Sequence, residues 1–105
     1  MTGGEATGGW ELRSPEYRPG MPEISRFYGI VITIFYDEHL PPHFHARYGD
    51  DRAAFHLTGE VLAGSMSNRA SALIRDWARL HQAELAADWT YAERAQPLVP
   101  IPPLD

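Results

Sequence analysis

The sequence has no cysteine, which excludes disulfides, thiolate nucleophiles and cysteine-type zinc sites together. It has no lysine either. All nine basic residues are arginines, permanent charges suited to carboxylate pairing, a bias that a GC-rich coding sequence would also produce. No stretch approaches the roughly 20 apolar residues of a membrane span, and the first residues lack the basic-then-apolar order of a signal peptide. The expected compartment is therefore the cytoplasm, with no membrane partner. Positive charge is scarce as well: the net charge is −5, and a phosphate backbone is bound by releasing counterions with clustered Lys and Arg. Nucleic acid is not the expected partner. With 105 residues there is room for one domain, and so for one site.

What is present falls into segments. Residues 1–20, "MTGGEATGGWELRSPEYRPG", carry only Trp10, Leu12 and Tyr17 as large apolar groups, too few for a core. They read as a flexible extension, with Met21 as an alternative start; Trp10 and Leu12 could act there as a short peptide anchor. The domain spans 21–105. From Ile24, "ISRFYGIVITIFYDE" is dominated by β-branched and aromatic residues and reads as one strand. "HLPPH" breaks it, because Pro41 and Pro42 cannot donate to a sheet ladder. "HFHARY", the turn "GDD" and "RAAFHL" form a hairpin, and "TGEVLAGS" a further crossing with Thr58 and Gly59 at its turn.

At Ser67, an N-cap residue, the period changes to 3.6: Ala70, Leu73, Ile74 and Trp77 share one helical face. A second helix runs through "HQAELAADWTYAERA", with Leu85, Trp89 and Ala92 together. Trp77 and Trp89 belong to the core by this spacing. Pro97 ends the helix and "PLVPIPPLD" is an extended tail. The expected fold is α+β, a small antiparallel sheet of three to four strands packed against two C-terminal helices.

Three of the five histidines lie in "PPHFHARYGDDRAAFHL", residues 41–57. On a strand His43 and His45 face one way and Phe44 the other. A turn centred between Asp50 and Asp51 would set His45 across from His56, close enough to share a metal or a proton. His43, His45 and His56 are thus one candidate metal set. Asp37, Glu38 and His39 precede the Pro41–Pro42 bend and could fold back over the hairpin. Histidine with carboxylate is what a divalent zinc, iron or nickel ion needs, with an open position for hydrolytic or redox chemistry.

No His-Glu-x-x-His spacing is present. Two other readings compete: solvated polar edges bonded to Asp37, Asp50 or Asp51, and a partner-binding surface of Asp37, His39, His43, His45, Arg47, Tyr48 and Arg52. A nuclease would use His43 or His45 for proton transfer beside a local patch of Arg26, Arg47 and Arg52. Ser65, Ser67 and Ser71 lack a Gly-x-Ser-x-Gly elbow.

The runs "MPEISRFYGIVITIFYDEHLPPHFHARYGD", "ALIRDWARLHQAELAADW" and "QPLVPIPPL" together resemble a prokaryotic family catalogued as domain of unknown function 4160. The likeness extends from about Met21 to Leu104. Its most specific element is Pro41-Pro42-His43-Phe44-His45, preceded by Tyr36, Asp37 and His39; His56 lies outside that pattern. The resemblance implies a small cytoplasmic protein, often encoded beside a domain of unknown function 2442 protein in toxin–antitoxin-like pairs. A small protein partner encoded nearby is then expected, and the chain would be a binding module. The alternative is a metal-dependent or histidine-based hydrolase or ribonuclease acting through His39, His43 and His45.

Overall fold

The first apolar run folds as two strands, not one. In the computed structural model, which describes residues 22–36 and 38–105, β1 (Glu23–Phe27) and β2 (Ile30–Thr33) are joined by Tyr28 and Gly29. Both turn residues sit at positive φ, 51° and 81°, the arrangement whose twist matches a two-residue hairpin. A Cβ on Gly29 would lie 3.4 Å from the Tyr48 ring. The turn is hidden in sequence because the flanking residues all favour strands. It raises the strand count to five where three to four were expected.

The remaining strands are β3 (His43–Tyr48), β4 (Asp51–His56) and β5 (Val61–Ser65), followed by helices α1 (Asn68–Leu80) and α2 (Gln82–Glu93). The sheet is a meander in the order β1-β2-β3-β4-β5, with every neighbouring pair antiparallel. Ser67 caps α1 as its sequence position predicts, its hydroxyl accepting from the Ala70 N–H at 3.2 Å. The fold is therefore α+β. The extension at residues 1–20, with Trp10 and Leu12, and Asp37 fall outside the described residues.

Register decides which side chains meet. Phe44 lies opposite Phe55 and Ala46 opposite Ala53, while Ile32 lies opposite Ala46. These residues share the face that packs on α1. The Phe44 and Phe55 rings stack with centroids 5.5 Å apart, and Trp77 meets Phe27 at 5.3 Å and Phe44 at 5.7 Å. Trp77, Ile74, Leu85 and Phe55 are fully enclosed, each worth about 1.5–3 kcal/mol of burial. Trp89 and Ala92 complete the core from α2, so both tryptophans are core residues.

The β4–β5 turn is pinned to α1 at Gly59. Its φ is +95°, and a Cβ there would sit 2.8 Å from the Arg75 Cα, so only glycine permits the contact. The Pro-rich tail is extended, as composition predicts, and it is also docked. The Ile101 N–H donates to Ile24 O at 2.7 Å, the Trp77 indole N–H to Pro102 O at 2.9 Å, and the Tyr36 hydroxyl to Gln96 O at 3.0 Å. Among the described residues no helix is long and apolar enough to cross a membrane.

Candidate metal centre

Strand alternation sends His43 and His45 to the face opposite Phe44 and Ala46, and the loop before β3 folds Glu38 back onto them. Glu38 Oε1 lies 2.5 Å from His43 Nε2 and 3.1 Å from His45 Nε2. One donor atom from each of the three residues falls within 4.8 Å of the others. This is the only such group of three among the described residues.

Neighbouring aromatic rings hold the imidazoles in place. Phe35 stacks on His45 with centroids 4.0 Å apart and planes within 8°, and Trp89 of α2 packs on His43 at 5.4 Å. The two imidazoles meet edge to face at 5.1 Å. His43 is nearly enclosed, its side chain 8% exposed, while His45 at 29% and Glu38 at 24% open to solvent.

His43 Nδ1 lies 2.7 Å from the Pro41 carbonyl oxygen. A carbonyl only accepts, so Nδ1 donates to it, and Nε2 is the ring atom that faces Glu38. Burial alone would raise the Glu38 pKa. Hydrogen bonds from His45 and His43, with the charges of those rings, outweigh it and hold the carboxyl below its ordinary value. The carboxylate is thus kept ionised beside two imidazole nitrogens, the donor chemistry of a zinc or iron site. A tetrahedral ion with bonds of about 2.0–2.1 Å would set donors about 3.3 Å apart. The Glu38–His45 pair already approaches this, and the Glu38–His43 pair needs to open by under an ångström.

The expected register across the hairpin is corrected. The turn is Gly49-Asp50, with Tyr48 paired to Asp51, so His56 lies opposite His43, and His45 lies opposite Ala54. His56 is on the correct face but outside the converging group, and Glu38 supplies the third donor. His39 is exposed and also stands outside it. Arg47 and Arg52 pair directly across the hairpin on the same face as His45. Tyr48 alternates to the other face and packs against the core. The Ser67 hydroxyl is engaged as the helix cap.

Two supports of the centre escaped the sequence reading. Phe35 lies beyond the end of β2, where alternation no longer specifies a face, and Trp89 shows only the spacing of a core residue. Neither leaves a separate signal in the sequence.

Among protein families, the one described as Domain of unknown function (DUF4160) matches residues 29–90, a span that includes the three donors, Arg47 and Arg52. No curated protein and no solved structure matches the chain.

Proposed function

The chain belongs to the DUF4160 family, and we propose that it is a metal-dependent hydrolase whose divalent ion is held by Glu38, His43 and His45. One observation carries this reading. Glu38 Oε1 lies 2.5 Å from His43 Nε2, whose ring is anchored through Nδ1 to Pro41 O, and His45 Nε2 approaches the same oxygen. Two imidazole nitrogens converging on one ionised carboxylate oxygen are the donor set of a divalent ion. A divalent ion would take the place of the ring protons among these three atoms.

The Nδ1–H bond to a backbone carbonyl is the outer support that fixes tautomer and orientation in metal-ligating histidines. Glu38, His43 and His45 would hold the ion, and three protein donors would leave room for a water on it. Bound zinc lowers the pKa of that water to about 7 in known hydrolytic sites, which makes it a nucleophile at neutral pH. The partial exposure of His45 and Glu38 would leave a bound ion open to solvent.

Elemental analysis of the full chain, purified without a histidine tag after growth in zinc, tests the assignment. About one ion per chain is expected in the wild type, with loss in Glu38→Ala and in His45→Ala while the melting curve stays cooperative. Metal content that survives both substitutions, or a wild type that takes up no zinc, sinks the reading.

A second reading, a cytoplasmic binding module in a toxin–antitoxin-like pair with a small neighbouring-gene protein, rests on a different feature. β5 is an edge strand with all five residues exposed, including Val61 and Leu62. Unpaired edge backbone is a template for strand addition by another chain. Co-expression with the neighbouring gene's product and size-exclusion chromatography decides it; separate elution at every concentration excludes this partner.

A further inference from the structure

We infer that the substrate of this centre carries a phosphoryl group, seated by Arg47 and Arg52 in a cleft on the open face of the sheet; the inference rests on the metal reading above. The cleft has a volume of about 180 Å³ and is lined by Val31, Thr33, Phe35, His45, Arg47 and Arg52. His45 is shared: one ring borders both the donor cluster and the cleft. Drug-sized ligands occupy roughly 300–1,000 Å³, so this space suits a compact headgroup with a short organic portion against Val31 and Phe35.

The arginine pair has no structural explanation within the fold. Arg47 and Arg52 are direct cross-strand neighbours, and like charges so placed are destabilising. The chain holds fourteen acidic residues against nine basic ones, yet among the described residues no carboxylate lies within ion-pair distance of either arginine. Arg26 differs, being bound to Glu23 at 2.8 Å. Two guanidiniums with no acidic partner among the described residues, lining a cleft, are a local rule broken where function is expected.

Their chemistry selects the ligand. One guanidinium fork satisfies one carboxylate bidentately. Two forks side by side present twice the charge and donors enough for a dianion with three terminal oxygens, which a phosphate monoester supplies at neutral pH. Residues 45 and 47 are two apart on β3, and the strand rise places their Cα atoms roughly 7 Å apart. A phosphoryl group held by the arginines is then within one short substrate of the ion.

Titration calorimetry of the full zinc-loaded chain with phenyl phosphate and with benzoate tests this. Phenyl phosphate should bind the wild type, and Arg47→Ala and Arg52→Ala should each weaken it by roughly tenfold or more, as for a lost hydrogen bond to a charged group, with zinc content unchanged. Arg47→Lys should recover only part of the affinity, because an ammonium keeps the charge but loses the fork.

Equal affinity in wild type and the Arg47→Ala, Arg52→Ala double variant overturns the inference. So does benzoate binding as tightly as phenyl phosphate. Phosphate binding abolished by Glu38→Ala alone, and untouched by the arginine changes, overturns it while leaving the metal centre standing. Arginine-dependent binding in a chain that takes up no zinc retains an anion seat but overturns both the centre and its phosphorylated substrate.

Discussion

The two faces of the sheet are built from the same strands in strict alternation, and they obey different rules. On β3, Phe44 and Ala46 enter a dry core closed by Trp77, while His43, His45 and Arg47 emerge on the other side beside Glu38, Phe35 and Arg52. The covered face satisfies apolar packing almost completely. The open face gathers two imidazoles on one carboxylate and sets cation beside cation. Six residues of one strand therefore serve as scaffold and site at once, and the pleat keeps the two tasks on separate sides. A rigid core can thus hold polar groups in arrangements that do nothing for stability.

Substitutions should separate the faces. Trp77→Ala removes the largest enclosed side chain and orphans the Pro102 carbonyl, and it should cost about 3–5 kcal/mol in urea unfolding. Arg52→Ala or His45→Ala, measured the same way, should cost under about 1 kcal/mol, as for surface positions. A loss at either as large as that at Trp77 would break the distinction.

Zinc sharpens it from the other side. At a hundredfold excess over its dissociation constant, zinc should add about 2.7 kcal/mol of stability. Glu38→Ala should erase this gain; an equal thermal upshift in that variant would place the ion elsewhere.

The smallest effect is expected at Asp88, an enclosed carboxyl on α2. Its Oδ1 accepts the Val99 N–H at 2.8 Å while Oδ2 has no partner. Burial raises its pKa; the Val99 N–H opposes this and the Glu84 charge adds to it. A raised folded value means its stabilising contribution is full below the ordinary 3.8 and is lost as pH rises through the folded value. Asp88→Asn should therefore melt above wild type at pH 7, and the difference should shrink on acidification toward pH 3. A pH-independent difference would show that ionisation is not its cause.

Both helices were legible from their 3.6-residue period and the Ser67 cap, and the β3–β4 hairpin from its turn residues. The β1–β2 turn was not, because Tyr28 has no turn propensity and the run around it is continuously strand-forming. For the centre, alternation placed His43 and His45 on one face, and the Pro41–Pro42 bend marked where Asp37, Glu38 or His39 could fold back. Which of them returns depends on loop packing that no periodicity encodes. The exact cross-hairpin partner hinged on where within Gly49-Asp50-Asp51 the chain reverses. Because cross-strand partners shift together, a turn centred one residue earlier moves His56 from His45 to His43.

The docked tail has a consequence for how the molecule is made. Ile101 binds the backbone of Ile24 in the first strand, and Pro102 O accepts from the Trp77 indole N–H, so the core is closed by residues far along the chain from the strands they seal. Such sequence-distant closure raises contact order and slows folding. During synthesis the nascent chain can collect its hairpins one by one as they emerge, but Trp77 lacks its acceptor until Pro102 is free. Completion of the fold is thereby tied to synthesis through Pro102, and a ribosome stalled before it would carry an unfinished core.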